Sequence, residues 1–222
     1  KATGSLTIEG NGYTLSRNSV PSDFRILTIN AGDVTIDRLT ISGGYVWTGS
    51  GGGIVNNGTL TLTNCTVSNN TANDYGGGGI YNYDGGILTL TNCTVSGNSA
   101  VGGGYGGGIS NDGTLTLTNC TVTGNTAQWS GGGICNWYGT LTLTNCTVSG
   151  NTANDSGGGI LNYYSTLTLI RNIVSGNSAT NGSEIFREGG SIDADAHNVF
   201  GNSDLTNSQA YSGFTPGATD VT

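Results

Sequence analysis

Not one methionine occurs among the 222 residues, and there are only two prolines, one histidine and six cations. Each scarcity excludes something. Two prolines beside 41 glycines fit neither a collagen, which keeps a strict three-residue period, nor a disordered linker, which lacks the alternating Leu-Thr-Leu-Thr found here. All six basic residues (Lys1, Arg17, Arg25, Arg38, Arg171, Arg187) lie outside 39–170, and the net charge is −8. Such a surface repels phosphate backbones and anionic headgroups, so no nucleic-acid partner is expected. No apolar run approaches the roughly 18 residues a membrane span requires, so membrane insertion is not expected either. No leader segment is visible, since a strand pattern begins at once. With no methionine even at position 1, the chain reads as a processed, secreted protein, extracellular or at a cell surface.

What is present is a repeat. Gly-Gly-Gly-Ile-x-Asn followed by Thr-Leu-Thr-Leu-Thr-Asn-Cys-Thr-Val-Ser-Gly-Asn returns along the chain. Its cysteine marks the period: Cys65 to Cys93 is 28 residues, Cys93 to Cys120 is 27, and Cys120 to Cys146 is 26. Weaker copies place Leu39, Asn172 and His197 in the cysteine slot. Each copy holds three short strand-like segments separated by glycine and asparagine, which tolerate the left-handed backbone of tight turns. Three strands per coil of about 26 residues predict an all-β, right-handed parallel β-helix of about seven to eight coils. At ~4.8 Å per rung this is a rod of about 35–40 Å. The repeat runs through nearly the whole chain, so one domain is expected: a degenerate N-terminal coil over 1–30, regular coils over 31–202, and an irregular tail over 203–222. The mean hydropathy of −0.13 suits this fold, because each coil buries its few apolar residues against its neighbours.

Strand alternation assigns the faces. Inward go Ile54, Ile80, Ile109, Ile134 and Ile160, the Leu60/Leu62-type pairs, and Val67, Val95, Val122, Val148 and Val174. Two asparagine columns, Asn56/Asn82/Asn111/Asn136/Asn162 and Asn98/Asn125/Asn151/Asn177, are expected to stack as structural amide ladders. The phrase GGGIxNxGTLTLTNCTVSGNTA resembles the repeats of secreted bacterial β-helix proteins related to polymorphic outer-membrane proteins and autotransporter passengers. That resemblance implies a fold and a compartment, and it carries no catalytic motif.

Several constellations are candidate sites. Cys65, Cys93, Cys120 and Cys146 share an inward column, as a buried thiol ladder or as disulfides across rungs. Sulfurs strung along a column cannot converge tetrahedrally on zinc, and no metal or cofactor is expected. Cys135 follows Ile134, so it is expected to face outward as an intermolecular thiol. His197 reads as a core or end-coil residue. The outward column Thr61, Thr89, Thr116, Thr142 and Thr168, with flanking threonines, forms an uncharged array of the kind that ice-binding solenoids use; it is equally what a soluble strand former gives. Tyr81, Tyr83, Trp137, Tyr138, Tyr163 and Tyr164 gather along one edge, suited to sugar stacking or to shielding glycine turns. Asp84 and Asp112 fall on adjacent rungs at a spacing a retaining glycosidase would use, though in turn contexts. The expectation is a non-catalytic structural or adhesive extracellular protein that self-associates, head to tail or laterally, into filaments. An ice binder and a glycan-binding or glycan-cleaving rod are the alternatives.

Overall fold

The computed structural model describes residues 4–17, 23–201 and 206–222; Lys1 and the first residues of the expected tail, 203–205, lie outside the described residues. Three parallel sheets of eight strands each run the length of a right-handed solenoid, one strand per coil in each. In one coil the strands are Ile109–Asn111, Thr114–Thr118 and Thr121–Thr123. We call their sheets the isoleucine, threonine and valine sheets. Pairing is in register from rung to rung: Leu88 lies between Leu60 and Leu115, and Val95 between Val67 and Val122. Like residues therefore stack on like, and the inward isoleucines, leucines and valines named above are all but fully buried.

A fourth sheet was not visible in the sequence. Five two-residue strands, Tyr45–Val46, Thr71–Ala72, Ser99–Ala100, Thr126–Ala127 and Thr152–Ala153, form a narrow strip between the valine and isoleucine sheets. Two residues are too short to show alternation, yet the second of each is buried.

The Gly-Gly-Gly connection that follows the strip is dictated by space. Gly131 has φ 69°, and a Cβ on Gly132 would lie 2.5 Å from the carbonyl oxygens of both Thr152 and Gly158. Those are backbone atoms of the next rung and cannot step aside.

The last coil departs from the others. The register between Thr166–Ile170 and Ser191–Ala196 slips after Thr168, as an extra residue enters the later strand. Beyond it, Asn207–Ala210 forms one helical turn and Tyr211–Ser212 pairs with Ile185–Phe186, so the tail expected to be irregular adds a strand to the isoleucine sheet. Phe200, Tyr211 and Phe214 pack edge to face, 5.6–6.2 Å between centroids, over the C-terminal end of the core.

Candidate functional site

The turn from the isoleucine sheet to the threonine sheet positions the aromatic edge. Two coils carry one residue more in this turn than the coil of Asn111 and Thr114, and that residue is Tyr138 in one and Tyr164 in the next. Both take left-handed backbone, φ 55° and 46°, which a bulky side chain adopts at a cost of about 1–2 kcal/mol. The coil after them places Gly189, φ 72°, against the ring of Tyr164 at the equivalent position. Tyr138 and Tyr164 nevertheless stay 65% and 54% exposed, their rings stacked 6.0 Å apart at 22°. Behind them Trp137 stacks on Tyr163, 4.0 Å apart at 16°, and Tyr163 meets Tyr164 edge-on at 4.9 Å. The sequence expected these four rings on one edge, and the fold brings them into one cluster. Tyr81 and Tyr83 form a separate pair at 4.4 Å.

Between the two groups lies a cleft of about 170 Å³, lined by Tyr75, Tyr81, Tyr105, Ser110, Asp112, Cys135 and Trp137. Its floor is the outward column of the isoleucine sheet, where Ser110 and Cys135 are 4% and 1% exposed. This corrects the expectation for Cys135. Its side chain does leave the sheet on the outward face, but the glycine connection of its own coil crosses directly over it: a Cβ on Gly131 would meet the Cys135 Cβ at 2.8 Å. Burial first, and then the Asp112 charge, push its thiol well above the usual range. A thiol so placed does not reach a second chain.

Asp112 is the polar group of the cleft. It accepts a hydrogen bond from the Tyr81 hydroxyl, and burial raises its pKa although that bond lowers it; the Asp84 charge raises it further. The pairing of Asp84 with Asp112 is also corrected. Asp112 is in register with Tyr83, since its N–H donates to Asn82 O as the Tyr83 N–H does to Asn56 O. Asp84 belongs to an inserted, exposed turn. Among the described residues no three His, Cys, Asp or Glu side chains gather as a metal group.

The threonine array is regular. Thr61, Thr89, Thr116, Thr142 and Thr168 are consecutive partners across five rungs, each half-buried, flanked on four of those rungs by Thr63, Thr91, Thr118 and Thr144.

The cysteine column is a hydrogen-bonded ladder of free thiols. The N–H groups of Cys65, Cys93 and Cys120 each donate to the Sγ of the next rung at 3.4 Å. Its polar continuation begins at Asn172, which the repeat places in this slot, and runs on through two residues that the sequence did not single out. Cys146 N–H donates to Asn172 Oδ1 (2.8 Å), Asn172 N–H to Asn198 Oδ1 (2.9 Å), and Asn198 N–H to Asp220 Oδ1 (2.8 Å). Asn198, one residue after His197, therefore holds the slot; the extra residue at the register slip displaced the count. His197 takes the exposed left-handed corner at φ 58° and lies outside the core.

The buried asparagines behave alike. Asn70, Asn98, Asn125 and Asn151 each use both backbone N–H and side-chain amide to donate to the Oδ1 one rung on, at 2.9–3.0 Å. The run ends where Asn177 donates to Glu184 Oε2 at 2.6 Å. The second buried column, Asn56 to Asn162, is joined the same way through its amides at 2.7–2.9 Å.

The sequence matches the family model for a right handed beta helix region over residues 2–141 and again over 56–217. No curated protein and no solved structure matches it.

Proposed function

Because the chain belongs to the right-handed β-helix family and keeps two exposed tyrosines at strained backbone positions, we propose a non-catalytic extracellular adhesive rod that holds carbohydrate on its aromatic edge. One observation carries this reading. Tyr138 and Tyr164 stand at positive φ, where the adjacent coil uses glycine, and their rings face solvent rather than the core. Strain retained without burial in return is a mark of a site kept for binding. Exposed, stacked rings suit the apolar faces of sugars. The repeat's likeness to secreted bacterial rods supports the compartment.

The test is Tyr164→Gly. It relieves the left-handed strain, so thermal or urea stability should hold or rise by about 1 kcal/mol. Retention on immobilised polysaccharides or on a glycan array should fall at least tenfold. A variant that loses stability and keeps glycan binding, or a parent chain that binds no glycan, would overturn the proposal.

A second reading rests on the in-register threonines. An uncharged lattice three residues wide and several rungs long suits a regular solid surface such as ice. Thermal hysteresis that disappears in Thr116→Tyr would favour it, and its absence in the parent chain would remove it. The same uncharged face supports lateral self-association of rods; a stable monomer in sedimentation at high concentration would end that part of the proposal.

A further inference from the structure

The cleft beside the strained tyrosines has a chemistry of its own, independent of any carbohydrate on the outer rings. Tyr75, Tyr81, Tyr105 and Trp137 wall it, with Tyr105 and Trp137 edge to face at 5.4 Å. The faces of phenol and indole rings carry negative charge density. Asp112 adds a carboxylate, half-buried, with the Tyr81 hydroxyl as its hydrogen-bond donor. No cation in the described chain answers it, since the stretch 39–170 contains neither lysine nor arginine and no ion pair reaches Asp112. The cleft thus concentrates negative potential from two independent sources and leaves it unneutralised.

That combination selects among ligands. Anions are repelled. A hard metal ion needs about six or more oxygen ligands, and one carboxylate between rings does not supply them. A strongly hydrated ammonium loses more on entry than the rings return. An alkylated ammonium is different: it is cationic, its methyl groups are apolar, and ring faces attract it increasingly as water is removed. The cleft of about 170 Å³ is smaller than the roughly 300–1,000 Å³ of sites for drug-sized ligands, so it takes a head group and not a whole oligosaccharide. We infer that this cleft is an aromatic cage for a quaternary ammonium group, with Tyr105 and Trp137 contacting the methyl groups and Asp112 neutralising the charge. The raised pKa of Asp112 is in keeping with a carboxylate awaiting a cation, and a bound guest would draw it back down.

The test titrates the full chain with tetramethylammonium chloride and with choline chloride, followed by calorimetry and by NMR of the ring protons. Sodium chloride at equal ionic strength and methyl glucoside serve as controls. Saturable binding of both quaternary ions and of neither control is expected. Tyr105→Leu and Asp112→Asn should each weaken binding at least tenfold. Tyr105→Phe, which keeps the ring, should stay within threefold, and Tyr13→Ala, an exposed ring in the first coil, should have no effect. Absence of saturable binding overturns the inference. So does binding that survives Tyr105→Leu and Asp112→Asn in folded protein, and so does equal affinity for methyl glucoside, which would make the cleft a sugar subsite. Because neither quaternary probe contains sugar, failure of carbohydrate binding leaves this result intact.

Discussion

An asparagine in this chain has one of two fates, and they should differ sharply in energy. Asn125 is fully buried: it accepts two hydrogen bonds from Asn98, and its amide donates to Val95 O, Thr123 O and Asn151 Oδ1. Asn125→Ala strands buried donors and acceptors on both neighbouring rungs and should cost about 3 kcal/mol or more in urea unfolding. Asn119 sits at the exposed corner with φ 54°; its backbone N–H donates to Thr144 O, and its side chain makes only 3.3 Å amide contacts. Asn119→Gly should change stability by about 0.5 kcal/mol or less, since glycine accepts that backbone freely. Glu184 gives a pH prediction. It is 2% exposed, and burial raises its pKa against the opposing bonds from Asn177. A raised carboxyl pKa means that its stabilising contribution is whole below the unfolded value of about 4.3 and is lost as pH rises through the folded value. Glu184→Gln keeps an acceptor for Asn177 and removes the titration. The stability lost between pH 4 and pH 7 should therefore be smaller in the variant than in the parent, read from urea midpoints at the two pH values. A variant with the same or a larger loss would refute this assignment.

At the scale of the element, a coil was legible wherever its residues alternate. Ile109, Leu115, Leu117 and Val122 fall inward in the structure as period two demands. What escaped the pattern has physical reasons. The two-residue alanine strands are shorter than one period of alternation. Cys135 obeys the alternation, but a connection from its own coil covers it, and no local pattern encodes a covering segment. Tyr138 and Tyr164 were placed on the correct edge, whereas their strained backbone follows from a one-residue difference in turn length. The aromatic and carboxylate lining of the cleft joins residues of three coils, a proximity only the three-dimensional register supplies. The glycine connection yields the sharpest prediction at this scale. Gly132→Ala drives a Cβ into two carbonyl oxygens of the next rung and should destabilise by about 3 kcal/mol, measured by chemical unfolding. Gly124→Ala is the contrast: its Cβ would meet only Gly97 N at 3.9 Å, so only the strain of φ 63° remains, about 1–2 kcal/mol.

The whole molecule is a stack whose polar ladders have a direction and a terminus. Along the buried columns each residue donates to the side chain of the next one toward the C-terminal end, and two columns finish on carboxylates, Glu184 and Asp220. The exposed corner runs the other way, from Arg171 through Asn145, Asn119, Asn92 and Asn64 to Asp37. Between these ends successive coils are nearly interchangeable. Removing residues 121–146 joins Cys120 to Thr147, the register partner of Thr121, so the shortened chain can restack without altering any ladder end. That deletion should leave a folded protein with unchanged circular dichroism per residue and a single cooperative unfolding transition. Removing half as many residues from the same place should abolish folding. In genetic terms, unequal crossing-over between the segments that encode such similar coils would yield chains differing by whole rungs. Selection could then vary the length of the rod by copy number while the residues that close its ends stay fixed.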